Sequence, residues 1–365
     1  MPHKETVVVG GGVVGLSVAW RLAGSGPVVV VDPAPAAGAS WVAGGMLAPV
    51  TESWPGEEAL LELGLASLDR WPEFAARLGV GLGTDGTVVA ALDAADAAQL
   101  DVLADHLASL GRAVERLPGR ALRQVEPALG PSVRSGLLVP GDLAVDNREL
   151  LRALLDACRR AGVRFDKRRA STVEPGVVRL VDGDEIRCGT TVIAAGAWSA
   201  GLHRALAGLV RPVKGEILRL RVRPGVLAPR HTVRALVESR HVYLVPRAGD
   251  ELVLGATQYE AGFDEEVTVG GVRDLLADAE RVVPGLAEYG LTETAAGLRA
   301  GSRDNLPLVG RLEPGVLVAA GHHRNGLLLA PITAEAVHAL VTDRSPPGAV
   351  LAADPARFFP EGGHR

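Results

Sequence analysis

The feature that most restricts this chain lies near its start, at Gly10-x-Gly12-x-x-Gly15. A β-branched run, Thr6 to Val9, precedes it and reads as a buried parallel strand. Val13, Leu16, Ala19 and Leu22 follow at helical spacing, and Pro27 to Val31 is a second strand closed by Asp32-Pro33. Strand, turn, helix and strand make a β-α-β unit. Gly10 permits the tight turn, Gly12 lets the backbone approach a pyrophosphate, and Gly15 lets helix and strand pack closely. The helix N-terminus offers the phosphates free N–H groups and a partial positive charge. Asp32, 22 residues beyond Gly10, stands where a carboxylate accepts both adenosine ribose hydroxyls. With 45 glycines in 365 residues, the glycine pattern alone signals only a flexible turn. Its strand, helix and acid context is what points to a dinucleotide.

Beyond this unit, residues 57–78, 93–110 and 147–161 carry helical spacing. Thr190 to Ala195 reads as a strand. Val213 to Arg223, His241 to Val245 and Leu252 to Gly255 alternate with period two, which predicts antiparallel strands with one wet face. Gly315 to Ala320 is a buried strand, followed by a polar loop, 321–326, and a helix to about Val341. The Pro- and Gly-rich tail after Ser345 reads as a partly ordered strap. The parallel-type segments fall in three separate blocks with the alternating strands between them. The expected fold is therefore α/β: a Rossmann-like nucleotide-binding domain interleaved with an antiparallel-sheet α+β substrate domain. Residues 1–80, 141–210 and 291–365 are assigned to the first, and 81–140 and 211–290 to the second.

Charge and composition remove several functional classes. The net charge is −5, which offers no field for nucleic acid or an anionic membrane. No apolar run approaches the roughly 20 residues of a membrane helix, and the start has no signal-peptide pattern. Cys158 and Cys188 are the only cysteines, unclustered, which points to a reducing, cytoplasmic setting and no metal site. Lysine occurs only at 4, 167 and 214, which leaves 35 arginines among 38 basic residues. A lone arginine is therefore weak evidence of a role.

The glycine turn does not separate FAD from NAD. Ala39 to Pro49, a small-residue run soon after the second strand, would let a planar ring system lie against backbone. A packed connection would have the same composition. The loop and helix from Gly321 to Val341 supply a second helix N-terminus, whose dipole would stabilise a reduced flavin, anionic on its pyrimidine side. A nicotinamide needs no such partner.

Eight blocks in order then carry a resemblance that spans nearly the whole chain. They are VVVGGGVVGLSVAWRLA at 7–23, ASWVAGGMLAPVTE at 39–52, VIAAGAWS at 192–199, RPVKGEILRL at 211–220, HVYLVPR at 241–247, LVLGAT at 252–257, GLRAGSRDNLPLVG at 297–310 and GHHRNGLLLAP at 321–331. The chain resembles the glycine oxidase branch of the D-amino-acid oxidase flavoenzyme family, the branch linked to thiazole assembly in thiamine biosynthesis. The resemblance implies that Val13, Val14, Asp32, Pro33, Ala39, Ser40, Gly44, Gly45 and Met46 contact FAD. It places Ala170 beside the adenine and His322, His323, Arg324, Asn325, Gly326, Leu327 and Leu328 under the flavin pyrimidine. It makes Arg299 the clamp for the substrate carboxylate and Tyr243 its hydrogen-bonding partner. Arg324 becomes a second active-site arginine, and Met46 and His241 become pocket residues. FAD is expected to be noncovalent: related sarcosine oxidases attach it through a late cysteine, and none follows Cys188. Two positions depart from the branch: Ala300 stands where proline is common, and His323 where an aromatic residue is common. Trp41 and Trp54 flank Met46 and are expected to narrow access.

The physical case for Arg299 is independent of the resemblance. An amino acid presents one planar carboxylate, and a guanidinium answers it with two parallel donors that fix orientation as well as charge. Orientation matters because the α-hydrogen must face the flavin. The expected reaction is oxidative deamination of glycine, sarcosine or small D-amino acids, with oxygen as acceptor and hydrogen peroxide, ammonia and a 2-oxo acid as products. Relatives make a homo-oligomer, dimer or tetramer, an expectation too. Two alternatives stand at this level: a D-amino-acid dehydrogenase that passes electrons to a quinone, and a nonenzymatic flavin-binding protein.

Overall fold

The computed structural model describes residues 5–112 and 114–359. The outer ends of the stretches 1–80 and 291–365 lie outside the described residues. Two large sheets dominate. The first has six strands in the order Leu308–Glu313, Val316–Ala320, Thr190–Ile193, Thr6–Val9, Val28–Val31 and Arg164–Asp166. All pairings are parallel except the one at the Leu308–Glu313 edge. Successive side chains alternate across a strand, so Val8 and Val30 pack under the helices Val13–Leu22, Asn147–Arg160 and Ala330–Val341. Val7, Val9, Val29 and Val31 pack on the opposite face, against the small antiparallel sheet Ala170–Glu174, Val177–Leu180 and Glu185–Arg187. Both faces are covered, which is why these strands read as unbroken valine runs.

The second sheet has eight strands, in the order Gly290–Ser302, Val210–Arg221, Glu251–Gly255, Arg240–Pro246, Thr232–Val237, Thr87–Ala91, Ser135–Val139 and Glu115–Pro118. The single boundary expected at 291 does not follow the pairing here. Gly290–Ser302 pairs along its length with Val210–Arg221, so a strand assigned to the nucleotide unit lies at the edge of the other sheet.

The wet face expected for the alternating strands is also absent. Val213 to Leu220 are all buried. Leu218, Leu220, Leu244 and Leu254 pack under the helix Val269–Val282, while Ile217, Val245 and Val253 face Met46 and Tyr243. Period two survives because the polar members of the strand are paired rather than solvated. Lys214 Nζ lies 2.5 Å from Asp264, and Glu216 accepts the Thr268 N–H at 2.8 Å.

Other elements differ in extent. Residues 57–78 form two helices, Glu58–Leu68 and Trp71–Leu78, with Pro72 in the first turn of the second, where its missing N–H costs nothing. The late helix begins only at Ala330, after a short 3-10 turn at His323–Asn325. The tail straps back in two short turns that bury Val350, Ala353 and Pro355. Among the described residues, no helix is long and apolar enough to cross a membrane, and no cluster of His, Cys, Asp or Glu could hold a metal ion.

Candidate active site

The glycine turn is built by close contact. Gly10 has φ +113°, and a Cβ there would overlap the carbonyl of Ala194 at the end of the neighbouring strand. A Cβ on Gly15 would overlap the Gly10 carbonyl. Gly12 differs, because a Cβ there would meet only Ser40 Oγ, at 3.2 Å. Its role is to keep space open over the helix start, where the helix itself leaves N–H groups unbonded. Asp32 pins the turn: Oδ2 accepts the Gly11 N–H and Oδ1 the Ala34 N–H, each at 2.7 Å.

Gly10, Gly12, Val13, Val14, Asp32 and Pro33 line a cavity of about 580 Å³. Ala170 lines it from the small antiparallel sheet, and His322, His323 and Gly326 from the late turn. Gly15 and Leu328 do not line it: Gly15 serves packing, and the Leu328 carbonyl accepts from Ser67 and Trp71 in the core. The cavity shares Val13, Ala39, Ser40, Arg299, His323 and Gly326 with a second cavity of about 380 Å³. A glycine-cleared helix start, an acid at the second strand end and a continuation into a second chamber fit an extended dinucleotide whose ring system lies beyond its phosphates.

The turn from Ala39 to Gly45 joins the two chambers and is held from three sides. Ser40 Oγ accepts the Val13 N–H at 3.1 Å, which ties this turn to the phosphate helix. Asn147 donates to the carbonyls of Ser40 and Trp41, at 2.9 and 2.8 Å. Arg148 stacks on the Trp41 ring at 4.5 Å, so Trp41 faces the helix Asn147–Arg160 and lines neither chamber. Arg247 donates to the Gly44 carbonyl from the sheet side, and its burial lowers its pKa to about 10. Neither Asn147 nor Arg247 was legible as a site residue, because an amide or guanidinium bonding backbone from behind leaves no motif.

The register of the eight-stranded sheet collects the other side chains on one face. Tyr243 pairs with Gly255 on one side and Arg234 on the other. Arg299 pairs with Val213, two residues from Gly215 and four from Ile217, so it shares the face of Tyr243. The Tyr243 ring lies over Gly255, and a Cβ on Gly44 would come within 2.7 Å of it. Burial raises the Tyr243 pKa, with Arg299 opposing, so the phenol stays a proton donor. Met46 and His241 also line this chamber. His241 is exposed at the rim and meets Trp54 edge-on, with ring centroids 5.8 Å apart. Partial burial, then Arg234, holds its pKa below the usual histidine value. Trp54 is thus the tryptophan that narrows the chamber.

Among the described residues, three guanidinium groups line the smaller chamber, and their partners distinguish them. Arg234 pairs with Glu52 Oε1 at 2.7 Å. Arg324 pairs with Glu52 Oε2 at 2.9 Å and with Glu57 at 3.0 Å. Arg324, expected as an active-site arginine, lines the chamber with its charge paired to Glu57 and to the Glu52 that Arg234 shares. Arg299 donates to the Thr257 carbonyl at 3.1 Å and has no carboxylate partner among the described residues. Nothing near Glu52 in the sequence marks its role, because its partners come from a distant strand, Thr232–Val237, and from the late turn His323–Asn325.

The late turn places His323 to Leu327, not the regular helix after it, along the smaller chamber. His322 is buried, with Nε2 3.0 Å from Thr333 Oγ1. His323 has φ +47° and no hydrogen-bond partner for either ring nitrogen among the described residues. Burial lowers the pKa of each to about 4, so both rings are neutral. Cys158 is buried and Cys188 sits against Thr191, so neither is available to the chambers.

Comparisons with known proteins agree with this geometry. The family model described as "DAO: FAD dependent oxidoreductase" matches residues 5–340. The glycine oxidase of Pseudomonas putida is 32% identical, over 98% of this chain and 99% of its own length. The bifunctional protein ThiO/ThiG of Trichormus variabilis is 32% identical over 93% of this chain, which spans about half (52%) of that longer relative. The crystal structure of glycine oxidase from Geobacillus kaustophilus superposes with a TM-score of 0.89, at 30% identity, covering 98% of this chain and 99% of that one. The chain belongs to the DAO family of FAD-dependent oxidoreductases, and FAD is the dinucleotide its glycine turn serves.

Proposed function

We propose that this protein oxidises small amino acids, glycine, sarcosine and small D-amino acids among them, with oxygen as acceptor. After hydrolysis of the imine by water, the products are a 2-oxo acid, hydrogen peroxide and ammonia, or methylamine where the substrate is sarcosine. The observation that carries the reading is Arg299, the cavity-lining guanidinium without an acidic partner among the described residues. A substrate carboxylate supplies the missing charge through two parallel hydrogen bonds, and the protonated Tyr243 hydroxyl donates a third. Those contacts fix the carboxylate end and so aim the α-carbon. FAD, when bound, would supply the acceptor for the substrate's electron pair and the route by which that pair reaches oxygen. The chain needs no strong base at the α-carbon, because an amine that has lost its proton can give up a hydride. The neutral ring of His323, whose pKa burial lowers to about 4, adds no positive charge to the chamber. A chamber of about 380 Å³ that would also have to admit the flavin ring favours small amines.

Similarity to proteins named glycine oxidase and ThiO/ThiG supports glycine as a substrate. It also supports a product, glycine imine or glyoxylate, that feeds thiamine thiazole synthesis. The test is a peroxide assay of the FAD-loaded protein with glycine, sarcosine, D-alanine and D-proline. Arg299→Ala should lower kcat/KM by about one to two decades, the equivalent of about 1.5–3 kcal/mol. Dye reduction without peroxide would turn the reading to a dehydrogenase. A flavin that none of these amines bleaches without air would end it.

A further inference from the structure

We infer that Gly215 is a positioning residue for substrate: it is the seat on which the Arg299 guanidinium lies flat, and its missing side chain sets the clamp's pose. This rests on the clamp reading above. A long side chain on a strand ordinarily stands roughly perpendicular to the sheet. Arg299 instead crosses to the neighbouring strand. A Cβ built on Gly215 would overlap three of its atoms, Cζ, Nη1 and Nη2. The guanidinium therefore occupies the volume in which any other residue at 215 would carry its first side-chain atom. Its Nη1 is held there by the Thr257 carbonyl, at 3.1 Å.

Both Gly215 and Arg299 line the smaller chamber. With the cation lying on the chamber floor, the space above it is free for a carboxylate. Raised by one methyl group, the same cation would stand in that space. Tyr243 is seated by the same device on its directly paired Gly255, whose Cβ would overlap the phenol ring. The two proposed carboxylate contacts thus lie against adjacent parts of one sheet, each over a glycine. A flexible arginine becomes a fixed fork without an acidic partner that would compete with substrate.

The test is a double-mutant cycle of Gly215→Ala and Arg299→Ala in the FAD-loaded enzyme. Acetate, a carboxylate with no amine to oxidise, is titrated by its perturbation of the flavin absorbance, and KM and kcat for glycine are measured alongside. Gly215→Ala should weaken acetate binding roughly ten- to a hundred-fold and raise the KM for glycine by a similar factor, with flavin content retained. In the Arg299→Ala background the same substitution should cost nothing more, because the three atoms nearest its Cβ, all of Arg299, are gone. If Gly215→Ala alone fails to fold or to hold flavin, the double variant should recover both. Unchanged acetate binding in Gly215→Ala, or further loss of binding or folding in the double variant, would overturn the seat. Unchanged acetate binding in Arg299→Ala would instead overturn the clamp reading on which the seat rests.

Discussion

Among the described residues, Glu52 is the one carboxylate shared by two arginines of the chamber wall, and Glu52→Gln isolates its charge while keeping its size. The carboxylate bonds Arg234 at 2.7 Å and Arg324 at 2.9 Å, with side-chain exposures of 11%, 14% and 26%. Burial alone would raise the Glu52 pKa; Arg234 and Arg324 overcome this and hold it below the ordinary value of 4.5. Removing one partner of a buried pair costs about 3–5 kcal/mol. The lower end applies, because Arg324 is partly exposed and keeps Glu57. About 3 kcal/mol over a chain of this length is a fall of about 4 °C in Tm. Because the folded pKa is depressed, this stabilisation is complete above the unfolded value and is lost as pH falls through the folded one. Scanning calorimetry of the FAD-loaded protein should therefore show the largest gap between variant and wild type near pH 7, narrowing below pH 4.5. Equal Tm values at pH 7 would refute the reasoning, since the two guanidinium groups would then not depend on this charge.

Two further substitutions test the late turn and the loop that joins the chambers. His323 has a folded pKa of about 4 against an ordinary 6.5, so the unfolded chain takes up a proton that the folded one refuses. Stability should fall from pH 6.5 to pH 4 by roughly 3 kcal/mol for this ring. His323→Phe should keep or raise the Tm at pH 8, by removing two unpartnered polar atoms, and flatten the acid limb of urea unfolding; an acid limb unchanged by the substitution would contradict this. Asn147→Ala removes two hydrogen bonds that hold the Ser40 and Trp41 carbonyls, worth about 1 kcal/mol each. The dissociation constant of FAD, followed by quenching of flavin fluorescence, should rise by roughly tenfold or more, and unaltered affinity would show that the turn is held without it.

The nucleotide half was legible because its constraints are local. Gly10, Gly12, Gly15 and Asp32 meet within one β-α-β unit, and their spacing follows from turn, helix and strand geometry. Arg299 and Tyr243 could be named by resemblance, but the shared face that joins them is a property of register between strands far apart in sequence. The partners of Arg324 were not legible, since nothing near 324 announces Glu52 or Glu57. The wet face expected of Val213 to Arg223 failed for a related reason. Alternation shows that the two faces differ, but Lys214 and Glu216 are as consistent with buried pairing as with solvent until Asp264 and Thr268 are placed beside them.

The order of strands in the six-stranded sheet has a consequence for how the protein is made. Thr6–Val9 pairs with Thr190–Ile193, and that strand with Val316–Ala320. A ribosome thus delivers the phosphate turn some three hundred residues before the strand that completes the sheet around it. Loop-closing costs of that length slow folding and leave early intermediates with unpaired strand edges. Both cavities are lined by the late turn His323–Asn325, so neither is complete until that turn emerges. Expression with limiting FAD, or truncation before Ala320, should therefore yield a chain that aggregates rather than a half-functional domain.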